Sequence, residues 1–328
     1  MQAQQDHSAA RVLVTGANGF VGRTLIATGA GAIQWRTAVR SRPAERIAGD
    51  QIAVGSIDGQ TDWSDALSGI DCVVHLAARV HVMNPSANDR TAFERTNVLG
   101  TERLARAAAA AGVRRFIYLS SIKVNGERTR NRPFRADDVP QPQDDYARSK
   151  LEAERRLGAV AEDSGMTASI VRPPLVYGPG VRANFLRLLS LAHSGLPIPL
   201  ASITNVRSMV SVWNLCDLVA TLVRHEQPMS GVFLLSDGED ISVAELILRL
   251  ARIMRRPARL FAFPIGALQA LAAVTGRRAE FSRLCNSLVV DIAHTRDRLG
   301  WSPPLSLENG LARTVEWYLH ERAERNAA

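Results

Sequence analysis

Short apolar runs rich in β-branched residues alternate with longer stretches of helical period through the first half of the chain. RVLVTG (11–16), WRTAVRS (35–41), DCVVHLAA (71–78), RRFIYLSS (114–121) and TASIVRPPLVYG (167–178) read as strands. Between them FVGRTLIATGA (20–30), TNVLGTERLARAAAAAG (96–112) and YARSKLEAERRLGAVAEDSG (146–165) read as helices. The last two close on Gly112 and Gly165, where a left-handed cap is cheap. Strands alternating with helices call for parallel pairing and right-handed crossovers. The predicted class is α/β: a Rossmann-type doubly wound parallel sheet with a smaller, interleaved C-terminal substrate domain.

Beyond Gly178 the segments shorten and prolines punctuate them. NFLRLLSLAHSG (184–195) reads as a helix, SMVSVWNLCDLVATLVRH (208–225) as a strand running into a helix, GVFLLSD (231–237) as a strand, and SVAELILRLARIM (242–254) as a helix opened by Ser242. The expected division is 11–178 for the first domain, with returning segments near 208–236, and 179–207 with 237–328 for the second.

The length of 328 residues suits two unequal domains. Residues 1–10 carry neither a basic start nor an apolar core, so neither a secretory signal nor a membrane anchor is expected, and the cytoplasm is the expected compartment. Cys72, Cys216 and Cys285 are far apart and read as unpaired core thiols. The net charge of +8 comes from scattered arginines with no basic arm, which argues against nucleic acid and suits a small anionic substrate. The longest apolar stretch, LFAFPIGALQALAAVTG (260–276), falls short of the about 20 residues of a membrane span and contains Pro264 and Gly266. It reads as a buried or surface-lying helix. Followed by Arg277 and Arg278, it leaves loose attachment to an anionic membrane open.

Gly16, Gly19 and Gly22 follow a strand and open a helix. Gly16 permits a tight turn, Gly19 lets backbone approach a pyrophosphate, and Gly22 lets helix and strand pack closely, while the first helical amides, Phe20 and Val21 among them, face the phosphates. The second strand ends in AVRSR rather than in an acid; Arg40 and Arg42 stand where a phosphorylated ribose would lie, which favours NADP(H) and leaves NAD(H) possible. Ser121 ends a strand, and Tyr146 and Lys150 are one helical turn apart. A phenol needs a cationic neighbour to move a proton at neutral pH, so the Lys150 ammonium is expected to lower the Tyr146 pKa. His75 and His81 read as a strand and a loop residue.

TGANGFVG, HLAA, SSIKVNG, YARSK and RPPLVYGPG together resemble the extended short-chain dehydrogenase/reductase family, in the UDP-glucose 4-epimerase-like branch that includes bacterial UDP-4-keto-6-deoxy-N-acetylhexosamine 4-reductases. The resemblance implies catalytic roles for Ser121, Tyr146 and Lys150, and cofactor contacts from Ala77, Ala78, Ser120 and Pro173. It also implies a nucleotide-sugar substrate held by Asn184, Arg207 and Arg283, and a homodimer formed through LARAAAAAG and the Tyr146 helix. An acid that usually meets the adenine is replaced by Ser56, with Asp58 as a substitute that carries little weight. Dehydratases of the family follow the catalytic Ser or Thr with an acidic pair, whereas here Ile122 and Lys123 follow Ser121, which argues against dehydration. The arginines at 40 and 42 tilt the reading towards reduction of a 4-keto-6-deoxy sugar in surface polysaccharide biosynthesis. The alternative is a UDP-hexose 4-epimerase with retained NAD; a non-catalytic dinucleotide sensor is a lesser one, because such proteins often lose the tyrosine or lysine.

Overall fold

The computed structural model of the chain describes residues 10–29, 33–41, 49–80, 87–276 and 278–327; Arg42, His81 and Arg277 lie outside these. Two compact units interleave along the sequence: one comprises residues up to 124, 140–172 and 216–233, the other 125–139, 173–215 and 234–328.

The first half of the chain runs β1 (Arg11–Thr15), α1 (Phe20–Thr28), β2 (Gln34–Val39), β3 (Asp50–Ala53), α2 (Ser64–Leu67), β4 (Cys72–His75), α3 (Ala87–Phe93), a π-helical turn (Glu94–Leu99), α4 (Gly100–Ala110), β5 (Arg115–Leu119), α5 (Asp145–Ser164) and β6 (Thr167–Arg172). After it come β7 (Leu175–Tyr177), α6 (Ala183–Ser194), β8 (Pro197–Ile198), β9 (Met209–Ser211), α7 (Val212–Arg224) and β10 (Gly231–Leu234). The chain ends with α8 (Val243–Ile253), β11 (Arg259–Leu260), α9 (Ile265–Val274), α10 (Arg278–Cys285), α11 (Ala293–Leu299) and α12 (Leu307–Ala327).

The main sheet has seven strands in the order β10-β6-β5-β4-β1-β2-β3, and every neighbouring pair from β6 to β3 is parallel. The doubly wound expectation is met. Its central strands are buried from end to end, as in CVVH of β4, because helices cover both faces. On one face Trp63, Leu67, Leu104, Ala108 and Leu157 pack with Val73 and Phe116 of the sheet. From β1 the chain winds outwards to β3, then returns to β4 on the other side of β1. The strand order therefore reverses between β1 and β4, and ligands of open α/β sheets bind at the carboxyl ends of such a pair.

Three details differ from the sequence reading. TASIVRPPLVYG is two strands: Pro173 and Pro174 offer no backbone N–H to a ladder, so β6 stays in the main sheet and β7 pairs with β9 in a separate two-stranded sheet. The helix expected from Thr96 belongs to a helical run that starts at Ala87, and its π-helical turn contains the buried Asn97. β3, four residues at the sheet edge of which Asp50 and Ala53 are exposed and Gln51 and Ile52 half-buried, carries no alternating signal. The expected caps do appear at Gly112 and Gly165, with φ of 77° and 73°. Ser242 caps α8 through its side chain, accepting from Glu245 N at 3.0 Å. Cys72 and Cys216 are buried, whereas Cys285 is half-buried. Among the described residues no helix is long and apolar enough to cross a membrane.

Candidate active site

The turn after β1 is built so tightly that side chains are excluded. Gly16 adopts φ +72°, and a Cβ there would stand 2.7 Å from the backbone N of Ala77, which follows β4. A Cβ on Gly22 would come within 2.7 Å of Ala17 Cα, so the glycine lets the start of α1 close on the turn. Gly19, in extended conformation, precedes α1, which has no side-chain cap and no acid in its first turn. The first amides of a helix have no intrahelical acceptor. Phe20, Val21 and Gly22 thus present bare donors and the positive end of a helix dipole, a donor set that fits a pyrophosphate. Ala77 and Ala78 are half-buried at the end of β4, with Ala77 N donating to Thr15 Oγ1 at 3.2 Å.

His75 lies within this frame without taking part in proton transfer. Its Nδ1 is 2.6 Å from Thr15 Oγ1 and its Nε2 is 3.0 Å from Thr101 Oγ1. Burial, aided by the Lys150 charge, pushes its pKa down to about 3, so the ring is neutral and structural, as its strand position suggested.

At the outer end of β2, Arg40 is exposed directly after the strand. Arg36, two turns of the pleat earlier, is spent on the fold: it pairs with Asp50 at 2.9 Å and donates to the Ser68 carbonyl at 2.7 Å. Ser56 is exposed, and Asp58 uses Oδ1 to accept from Gln60 N at 3.0 Å, closing its own turn.

The Tyr146 helix begins differently. Asp144 caps α5 by accepting from Ala147 N at 2.7 Å, and its other oxygen pairs with Lys123 Nζ at 2.5 Å. Lys123 belongs to the short 3₁₀ turn Ile122–Val124, and its N–H donates to Ser121 Oγ at 3.3 Å. The segment that ends β5 is thereby fastened to the start of α5. Tyr146 is half-buried, its ring edge-on to Phe93 at 6.1 Å. Lys150, 2% exposed, donates from Nζ to the Leu119 carbonyl at 2.7 Å and stands 4.6 Å from the Tyr118 ring centroid.

The electrostatics correct one expectation. Burial, followed by the Asp144 carboxylate, raises the Tyr146 pKa rather than lowering it. Burial also pushes Lys150 down to about 7, against an upward pull from Glu154. Desolvation works against the charged form of both groups, so the nearness of Lys150 alone does not lower the phenol.

Behind Lys150 lies a buried array that sequence reasoning missed. Glu154, one turn further along α5, accepts from Arg172 Nε at 3.0 Å and Nη2 at 2.5 Å, and from the Ser120 hydroxyl. Ser120 therefore spends its hydroxyl on Glu154, and Pro173 follows Arg172 as a buried residue. Asn97 is a second missed group: its amide donates to Arg79 O at 3.1 Å and Ser149 Oγ at 2.9 Å, and its carbonyl accepts from Arg79 N at 2.8 Å. It ties the segment after β4 to α5. Asp144 was recoverable from sequence, since an Asp before a helical run is an N-cap signal.

Within the second unit, Asn184 is the second residue of α6 and is exposed. Arg207 is half-buried, its Nη1 donating to Asn286 O at 3.0 Å and its guanidinium pKa lowered by burial. Arg283 lies on α10, and its side chain is outside those described.

Comparison with known proteins bears on this arrangement. Residues 12–235, from β1 through β10, match the family described as the NAD dependent epimerase/dehydratase family. The chain belongs to this family. A UDP-glucose 4-epimerase of Vibrio cholerae is 42% identical over 313 residues, covering 94% of this chain and 95% of that protein. The N-acetyl-α-D-glucosaminyl-diphospho-ditrans,octacis-undecaprenol 4-epimerase of Escherichia coli O157:H7 is 24% identical, covering 95% of this chain and 97% of that protein. Among solved structures, MoeE5 in complex with UDP-glucose and NAD has a TM-score of 0.77 at 27% identity, covering 95% of this chain and 100% of that one. The family and fold class expected from the motifs are borne out. The NAD of MoeE5 gives no support to a preference for NADP(H).

Proposed function

We propose that the protein is a UDP-hexose or UDP-N-acetylhexosamine 4-epimerase that retains NAD. The observation that carries this reading is the 42% identity to a UDP-glucose 4-epimerase along nearly the whole chain; the Lys150 ammonium bonded to the last carbonyl of β5, two residues before Ser121, supports it. It replaces the reductase reading drawn from Arg40 and Arg42: Arg40 is an exposed side chain directly after β2, a position open to solvated charge.

In this reading Gly16, Gly19 and Gly22, with the amides of Phe20 and Val21, hold the pyrophosphate of the dinucleotide, and Ala77, Ala78 and Pro173 lie along it. NAD, when bound, supplies the acceptor and then the donor of a hydride at C4. Tyr146 takes the proton of the C4 hydroxyl and later returns it, and Ser121 Oγ holds the same oxygen by a hydrogen bond. Lys150, when protonated, offsets part of the desolvation that opposes the tyrosinate. Asn184, Arg207 and Arg283 are the proposed nucleotide-sugar ligands, arginine suiting diphosphate oxygens by its planar fork. The same reading includes a homodimer through α4 and α5, which light scattering would test by showing twice the chain mass.

The deciding experiment incubates purified protein with UDP-glucose and UDP-N-acetylglucosamine, without added cofactor, and separates the C4 epimers. Conversion that disappears in Tyr146→Phe supports the epimerase. NADPH consumption with a UDP-4-keto-6-deoxy-N-acetylhexosamine, and no epimer, would return the reading to a reductase.

A further inference from the structure

The second unit carries an apolar strip that its own core does not use. From Leu246 to Ala279 the sequence holds seven arginines and no Asp or Glu, against a net charge of +8 for the entire chain. Within this stretch Arg252, Arg255, Arg256 and Arg259 are exposed, while Arg249 is engaged by Glu239 and Glu245. β11 then pairs with β8, and Phe261 N donates to Ile198 O at 3.1 Å, so the strip is fastened at its start. From there the apolar side chains turn outwards: Phe261, Phe263 and Ile265 are 37–44% exposed, Leu271 61% and Val274 87%, with Leu196 beside β8 at 62%.

The helix α9, IGALQALAAV, has no charged residue, and of its ten residues only Ala272 is buried. A surface helix ordinarily turns one apolar stripe inwards and a polar face to water. α9 has no polar face to offer. Exposed apolar patches of this kind mark interaction surfaces.

We propose that this strip docks the protein on an anionic lipid surface, with α9 lying in the boundary between headgroups and acyl chains and Arg252, Arg255, Arg256 and Arg259 paired with lipid phosphates. Ten residues of helix rise about 15 Å, half the hydrocarbon thickness, so α9 rests in the surface without crossing it. Charge selects the lipid over a second copy of the chain: a two-fold contact would press this acid-free, arginine-rich strip against itself. Anionic headgroups supply the opposite charge, and a lone apolar insertion reinforced by basic residues is the combination that gives reversible surface binding.

Flotation of the full chain tests the proposal, using phosphatidylcholine vesicles with and without phosphatidylglycerol. The protein is expected to float with the anionic vesicles, to stay behind with neutral ones, and to be released by salt. Leu271→Glu with Val274→Glu, and separately Arg255→Glu with Arg259→Glu, should each lower the floated fraction about tenfold. All four side chains are exposed, so unchanged thermal midpoints would show that the fold survives. Wild type that fails to float with either vesicle overturns the proposal, as does equal flotation of wild type and variants. A change of mass in light scattering for Leu271→Glu with Val274→Glu, without any vesicle binding by wild type, would assign the strip to a contact between copies instead.

Discussion

Two helices of the first unit, α1 and α5, begin in opposite ways. α1 opens on Gly19 with no capping side chain and no acid in its first turn, leaving its dipole and amides unanswered. α5 opens on Asp144, whose carboxylate answers its own helix at Ala147 and is itself tied to Lys123, with Asp145 following in the first turn. A bare start is open to an anion from outside, whereas a sealed start fixes the side chains that follow it. The first suits cofactor phosphates and the second suits a tyrosine that must hold one position while a proton moves.

The largest expected effect lies on the sealed side. Tyr146→Phe should lower kcat for epimerisation by about 10²–10⁴-fold while leaving NAD affinity, read by calorimetry, near the wild-type value. Comparable loss of NAD binding would mean that Tyr146 holds the cofactor more than it moves a proton. Lys150 offers the next effect. Its pKa falls from 10.5 in the unfolded chain to about 7 in the fold, so between those values the unfolded chain binds more protons. Stability referable to Lys150 is therefore complete above pH 10.5 and is lost as the pH falls through about 7. Relative to Lys150→Met, cofactor-free wild type should gain stability by up to a few kcal/mol as pH rises across that window, measured by urea unfolding. A constant difference would place Lys150 in a more polar setting than its 2% exposure indicates.

How much of this was legible in the sequence follows from how local each signal is. Gly16, Gly19 and Gly22 mark the turn because the strand, the turn and the helix are contiguous, and the Tyr146 and Lys150 pair is fixed by helical spacing alone. The doubly wound sheet follows from alternation that repeats over many residues. What escaped depends on distant partners. Glu154 reads as an ordinary charged helix residue until Arg172 and Ser120 are brought to it by β6 and β5. Asn97 reads as part of a helix face until it reaches Arg79 and Ser149. The direction of the Tyr146 shift escaped for a related reason: spacing shows that Lys150 is near, but not how deeply both groups are desolvated. At Arg40 a positive residue was visible and its cofactor consequence was not, because Arg36, four positions earlier, shows how such a residue can serve the fold alone.

The bare start can be converted into a sealed one. Gly19→Asp places a carboxylate before α1, where an aspartate cap improves on glycine by only about a few tenths of a kcal/mol and repels a dinucleotide phosphate. NAD affinity should fall by about two orders of magnitude, with no loss of thermal stability. Gly19→Ala separates shape from charge: a Cβ there meets the Gly16 carbonyl oxygen at 3.1 Å, a tight but single contact, so the loss of affinity should be smaller. Equal losses in the two variants would mean that space, not charge, keeps Gly19 bare.

The reverse conversion gives the smallest effect. Asp144→Asn keeps a capping oxygen for Ala147, and Asn caps about as well as Asp, so stability should change by less than about 1 kcal/mol. The charge is gone, however, and that charge is one of the two causes that raise the Tyr146 pKa. With it removed, and Lys123 left without its carboxylate counterion at this site, the tyrosinate becomes easier to form. The rise of epimerisation rate with pH should move to lower pH, while Asp144→Ala should add the loss of the cap, about 1 kcal/mol in urea unfolding. A pH profile that stays in place in Asp144→Asn would reduce Asp144 to a cap, and the sealed start of α5 would then serve position alone.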